Sequence, residues 1–216
     1  MIVGLIPAHN ESDGIAASIA SAAAQVDHVI VISDNSTDNT VALAEQAGAT
    51  VIESVSNRDK KAGALNQALN AMLDLGDSPF ELPVLADDDF VLVMDADSRI
   101  DEGFVDRAIE EFDLTPDAGA VGGVFLGDPG GGLVAQLQRN EYIRYAREVA
   151  RRKARAWVLT GTASVLRVDV LRMVADARQR GINAWPFVLI TLVAGSFGPL
   201  FYLVLRELRS GARTST

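Results

Sequence analysis

The chain has no cysteine among its 216 residues, which removes disulfides, zinc–thiolate centres and thiol nucleophiles together. It is also short of positive charge: 19 Lys and Arg stand against 29 Asp and Glu, a formal net charge of −10. Phosphate backbones select basic surfaces, so this balance excludes a nucleic-acid binder. No internal repeat and no low-complexity linker interrupts the chain, and its length suits one medium domain with a substantial core and at most a small appendage. No secretory leader is visible: Met1 leads directly into an apolar run without a basic region or a cleavage site, and the first domain is expected to stay in the cytoplasm.

What is present is most informative where Val91, Leu92, Val93 and Met94 run straight into Asp95, Ala96, Asp97 and Ser98. Carboxylates at alternate positions where a strand opens into a loop can turn toward one hard divalent cation. Mg²⁺ or Mn²⁺ so held keeps several waters and takes phosphate oxygens as further ligands. A D-x-D triplet alone is a weak signal, but two more apolar runs end in the same way. Ile2 to Ile6 stops at Pro7, Ala8, His9, Asn10 and Glu11, and Val29 to Ile32 stops at Ser33, Asp34, Asn35, Ser36, Thr37 and Asp38. Runs of this kind read as buried parallel strands, and open α/β sheets bind ligands at the carboxyl ends of such strands. An aspartate-nucleophile phosphatase motif also sits at a strand end. It wants Thr or Val two places after its second Asp, where this chain has Arg99.

The rest alternates strand and helix: a helix over 40–47 stopped by Gly48, a strand over 50–53, a helix over 61–75 ended by Gly76, a helix over 104–112, a strand over 118–125, a Gly-rich loop over 127–132 and a long helix over 133–153. Trp157 to Leu159 reads as a strand followed by a loop at Thr160, Gly161 and Thr162, and 168–180 as helix-like. Such alternation predicts an α/β fold, a mostly parallel sheet with helices on both faces. The triplet Asp87, Asp88 and Asp89 reads as solvated charge in a loop.

The segments IPAHNES, VISDNSTDNT, KKAGALNQAL, VLVMDADS and VLTGTASV, in this order and spacing, resemble the GT-A catalytic domain of family-2 glycosyltransferases, the inverting enzymes that include cellulose, chitin, hyaluronan and poly-N-acetylglucosamine synthases. The likeness extends over 1–178 and implies a domain at 1–180 that binds a nucleotide sugar, UDP-linked in many members, with Mg²⁺ or Mn²⁺ as cofactor. On this resemblance Pro7, Ala8, Asn10, Glu11, Asp34 and Asn35 line the nucleotide cleft, with Asp34 on the base. Lys61, Gly63 and Asn66 match the basic-Gly-Asn element, where Lys61 meets phosphate charge and Gly63 allows close backbone approach. Asp95 and Ala96 lie on ribose or sugar, Asp97 and Asp95 hold the metal, and Gly161 and Thr162 face the acceptor.

From 184 to 205 no charged residue occurs for about 22 positions, enough at ~1.5 Å each to cross a hydrocarbon core of about 30 Å. Trp185 and Tyr202 suit the two interfaces, and Arg206 and Arg209 could stop the segment. The expectation is a single-pass transmembrane helix over 184–208, a short tail over 209–216, and a cytoplasmic catalytic domain on a lipid bilayer. Arg144, Arg147, Arg151 and Arg155 fall at helical spacing and form one basic stripe, a solvated face by default.

Two elements of the family pattern are missing: the aspartate that acts as general base beyond the Thr-Gly-Thr loop, and the Gln-x-x-Arg-Trp element of processive synthases. After Thr162 the carboxylates before the apolar segment are Asp169 and Asp176, and neither has the family's context. Two expectations follow for a chain that looks C-terminally shortened. One is a membrane-anchored transferase passing sugar to a glycan or lipid acceptor; the other is an inactive donor-binding accessory subunit paired with a full synthase, or a truncated domain.

Overall fold

The computed structural model describes residues 1–124 and 162–180, with isolated positions between 132 and 147. Among the described residues the elements follow in the order β1 (Ile2–Ala8), α1 (Ile15–Ala23), β2 (His28–Ser33), α2 (Thr40–Gln46), β3 (Thr50–Glu53), α3 (Lys60–Met72), β4 (Phe90–Met94), α4 (Phe104–Leu114), β5 (Ala120–Gly122), β6 (Ala163–Arg167) and α5 (Val168–Gln179). One sheet holds all six strands in the order β3-β2-β1-β4-β6-β5. The first four are parallel, while β6 runs antiparallel to β4 and to β5.

Alternation along the central strands sends side chains to two cores, as a period of two requires. Ile6, Val29, Val31, Leu92 and Met94 face Ile15 and Ile19 of α1, Ala44 of α2 and Val105, Ala108 and Phe112 of α4. Val3, Leu5, Ile30, Ile32 and Val91 face Ala64, Ala68 and Met72 of α3 and Val168 of α5. A fully buried Leu or Ile in such a layer contributes about 1.5–3 kcal/mol. Phe90 and Phe112 stack with ring centroids 5.2 Å apart and fasten α4 to the sheet.

The mostly parallel sheet agrees with the sequence pattern, and β3 falls where the pattern places it. A further strand, β6, follows Thr162, and the strand expected at Trp157 to Leu159 lies outside the described residues. Gly161, most of the stretch 125–161 and the apolar segment 184–205 also lie outside them. Among the described residues no helix is long and apolar enough to cross a membrane. The Asp87–Asp89 triplet is not simply solvated: Asp89 is buried and accepts the Ala86 N–H at 2.7 Å, and Asp87 pairs with Arg172 at 2.8 Å.

Candidate functional site

Strand order reverses at β1: the chain winds outward through β2 and β3, then crosses back to place β4 on the other side of β1. Crevices form at such switch points, beyond the carboxyl ends of the strands. Pairing of β1 with β2 runs to Ala8 opposite Ser33, whereas pairing with β4 stops at Leu5 opposite Val93. Pro7, which has no N–H to donate, stands where β1 and β4 part. The antiparallel β6 starts at the same rim, with Ala163 opposite Met94, and the Asp95 N–H donates to the Thr162 carbonyl at 3.1 Å. Segments far apart in sequence thus bring Asp34, Asp95, Asp97 and Thr162 to one rim of the sheet.

Two loops on this rim turn through asparagines in the left-handed region, Asn10 at φ 56° and Asn35 at φ 55°, a conformation that Asn tolerates better than most residues. The Asn10 carboxamide oxygen accepts the Thr37 N–H at 2.7 Å, and the Asn10 N–H donates to Ser36 Oγ at 3.2 Å, tying the loop after β1 to the loop after β2. Glu11 donates its N–H to Thr40 Oγ1 at 2.8 Å, and helix α1 has no side-chain cap, so this carboxylate does not cap it. Asp38 takes the Thr40 N–H at 3.0 Å and the Ser12 N–H at 3.1 Å. Its bonds with the Thr40 hydroxyl and these backbone amides hold its pKa down to about 2.

Asp34 follows β2 and donates its N–H to the Ala8 carbonyl at 2.8 Å. Its Oδ1 accepts Ser54 Oγ at 2.6 Å and Asn35 Nδ2 at 3.0 Å. The Ser54 bond, more than any other contact, holds this carboxyl below the usual range, against the opposing effect of burial. Asp95 follows β4, half-buried, and Asp97 projects into solvent with Ser98 Oγ 3.3 Å from its Oδ1. The Lys61 ammonium, at the start of α3, donates to Asp95 Oδ1. Burial draws the Lys61 pKa downward, and the charge of Asp97 opposes that shift. Lys61 therefore pairs with Asp95 and lies within electrostatic reach of Asp97.

Several supports left no mark in the sequence. Ala96, expected on the ligand, is 4% exposed and joins the core; its carbonyl accepts Ser18 Oγ at 2.6 Å. A Cβ on Gly14 would come within 3.2 Å of the Ala96 oxygen and of the Asp97 Cα, so the first turn of α1 lies directly beneath the acidic loop. Gly63, expected to allow close backbone approach, is buried, and Asn57 fills the space where its Cβ would stand. Pro7 and Ala8 are buried at the end of β1, and Asn66 is exposed on α3.

Asp95 and Asp97 suit a hard cation as an oxygen donor set. No group of three or more His, Cys, Asp or Glu is placed to hold a metal among the described residues; two carboxylates are enough where phosphate and water complete the shell. Neither later carboxylate joins them. Asp169 is gripped by Arg167 at 3.1 and 2.5 Å and accepts the Val170 N–H, at the end of β6 that pairs with Phe90, the start of β4. Asp176 pairs with Arg180 one turn on, at 2.7 Å. A hollow of about 330 Å³ walled by Asp87, Asp88, Asp113 and Arg167 lies at this far rim too, away from the paired carboxylates.

The family described as Glycosyl transferase family 2 matches residues 5–74 and 84–174. No curated protein sequence matches. Among solved structures, the chain resembles glucosyl-3-phosphoglycerate synthase of Mycobacterium tuberculosis at 22% identity and a TM-score of 0.52, over 83% of this chain and 66% of that one. The same enzyme with Mn²⁺, UDP-glucose and glycerol 3-phosphate matches at 22% and 0.51, over 79% and 58%. A structure described only as a mycobacterial protein matches at 23% and 0.51, over 79% and 54%. The chain thus spans between 54% and 66% of the length of these structures, and the likeness is one of fold. With the family pattern covering most of its length, the chain belongs to glycosyl transferase family 2.

Proposed function

We propose that this chain binds a UDP-linked sugar with Mg²⁺ or Mn²⁺ and transfers the sugar, with inversion, to a glycan or lipid acceptor at a membrane. The observation that carries the reading is the gathering of Asp34, Lys61, Asp95, Asp97 and Thr162 at the rim of the switch point between β1 and β4. Asp34, kept ionised, would take an N–H of the base, and Asp95 and Asp97 would hold the cation. That cation supplies charge neutralisation to a departing diphosphate, and the Lys61 ammonium adds a second positive group beside it. The mycobacterial enzyme that shares the fold has been crystallised with Mn²⁺ and UDP-glucose, which supports the choice of donor and metal. The uncharged stretch 184–205 supports the bilayer anchor.

Inverting transfer needs a base for the acceptor hydroxyl. Among the described residues the carboxylates after Thr162 are engaged elsewhere, and this favours a second reading in which the chain binds donor for a partner synthase without transferring it. Titration calorimetry of the detergent-solubilised full chain with UDP, with and without Mn²⁺ and beside Asp97→Ala, tests the donor site. Manganese-dependent binding lost in the variant is expected, and absence of binding by the folded wild type would overturn the assignment. Release of UDP from UDP-sugars in the same preparation separates transferase from accessory subunit. Resistance to carbonate extraction tests the anchor.

A further inference from the structure

The loop between β3 and α3 contains no residue that the family pattern or the metal site uses before Lys61, yet it is built tightly onto Asp34. Ser54, the residue after β3, donates its hydroxyl to Asp34 Oδ1 at 2.6 Å and its N–H to the Ser33 carbonyl at 2.9 Å. The next residue, Val55, is held at both polar groups by one side chain of α3: its N–H donates to Gln67 Oε1 at 2.9 Å, and Gln67 Nε2 donates to its carbonyl at 3.0 Å. Side-chain amides that close both bonds at once fix a backbone segment in position and orientation. A chain of contacts therefore runs from α3 through Val55 and Ser54 to the carboxylate.

The geometry points to Ser54 as a positioning residue that sets the base selectivity of the donor site, with Gln67 holding Ser54 in place. This inference rests on the reading of Asp34 as the residue that meets the base. Among the described residues, the two short hydrogen bonds to Asp34 fall on Oδ1, from Ser54 and from Asn35, and the Asn57 amide lies near enough to help lower its pKa. Oδ2 takes neither of the two short bonds, and it is the oxygen assigned here to the base. An ionised carboxylate only accepts hydrogen bonds, so that oxygen selects a base edge with an N–H donor. Uracil carries such a donor at N3, whereas cytosine has a lone pair at the same ring position. The discrimination depends on where Oδ2 points, and Ser54 pins the group about its side-chain torsions.

The test is titration calorimetry of the full chain with Mn²⁺ and three probes: UDP, CDP and inorganic diphosphate. The wild type, Ser54→Ala, Ser54→Thr and Gln67→Ala are compared. Ser54→Ala should weaken UDP about tenfold, a change of one decade in the dissociation constant, while CDP and diphosphate stay at wild-type affinity. Ser54→Thr keeps the donor and should restore UDP. Gln67→Ala leaves Ser54 in the chain, releases its loop, and should lose UDP preference in the same direction. Equal losses for all three probes, or an unchanged preference for UDP over CDP in Ser54→Ala, would overturn the assignment. A wild type that binds diphosphate with Mn²⁺ but does not prefer UDP over CDP overturns the base-reading role of Asp34 itself, and that result is distinct from a failure confined to the variants.

Discussion

Replacing Ser18 by Ala would test how α1 supports the acidic loop. The Ser18 hydroxyl is buried at 1% exposure and reaches the Ala96 carbonyl at 2.6 Å and the Gly14 carbonyl at 3.3 Å. Alanine removes one oxygen and leaves the Ala96 carbonyl, in a residue 4% exposed, without its donor. A buried polar group stripped of its partner costs about 1–3 kcal/mol. For a domain of this size each kcal/mol lowers the melting temperature by about 2–4 °C, so a central cost of ~2 kcal/mol predicts a fall of about 4–8 °C. Ala96 separates Asp95 from Asp97, and the loop can relieve the deficit only by moving those carboxylates. If 1–2 kcal/mol of the cost reappears when Mn²⁺ draws them back together, its affinity falls about five- to thirtyfold. Scanning calorimetry and a Mn²⁺ titration in saturating UDP measure the two effects. A variant that melts with the wild type would refute the energetic argument. One that melts early but binds Mn²⁺ normally would show that α1 supports the sheet without shaping the metal loop.

Lys61→Met removes the cation that pairs with Asp95; Mn²⁺ alone should bind about two- to fivefold more tightly, the scale of an exposed ion pair, while UDP with Mn²⁺ binds more weakly. Asp38 has a folded pKa of about 2 against an ordinary 3.8, so its contribution to stability is present above pH 3.8 and is lost as pH falls through about 2. In Asp38→Asn the urea midpoint should drop at neutral pH and lose that part of its acid dependence between those two values. Asp169→Asn weakens the pair with Arg167 and the start of α5, and a loss of about 1 kcal/mol is expected. Mn²⁺-dependent UDP binding and any sugar transfer should survive in this variant, and loss of transfer with normal folding would instead identify Asp169 as the base.

Of the four parallel strands, β1, β2 and β4 were legible because each carries a continuous apolar run that is largely buried, whereas the short, partly exposed β3 could be placed only by its position between Gly48 and a polar loop. The antiparallel β6 was not legible. Ala163 and Ser164 open it, and Arg167 closes it, so it shows no long apolar run; its strand character comes from pairing with β4 and β5. The site divides in the same manner. Asp34, Asp95, Asp97 and Lys61 could be singled out because their residue types suit a base, a cation and a phosphate, and the fold brings them to one rim. Ser18, Ser54 and Gln67 could not, because bonds to partners 78, 20 and 12 residues away leave no local pattern. Gly63 has a packing requirement that left no mark either: a Cβ there would collide with the Asn57 side chain, whatever approaches its backbone.

The bonds that fasten the sheet gather at the rim opposite the loops. Arg167 grips Asp169 there, and Arg172 straps α5 to the carbonyls of Leu73 and Leu85 at 2.8 and 2.7 Å. Five residues of β4 separate this rim from Asp95, roughly 16 Å at the usual rise per residue. That exceeds the range over which substitutions ordinarily couple, about 7–10 Å. Changes to the ligand loops and changes to the fastenings should therefore be additive in free energy. Donor preference could drift among relatives of this chain while the same few arginines kept the sheet closed.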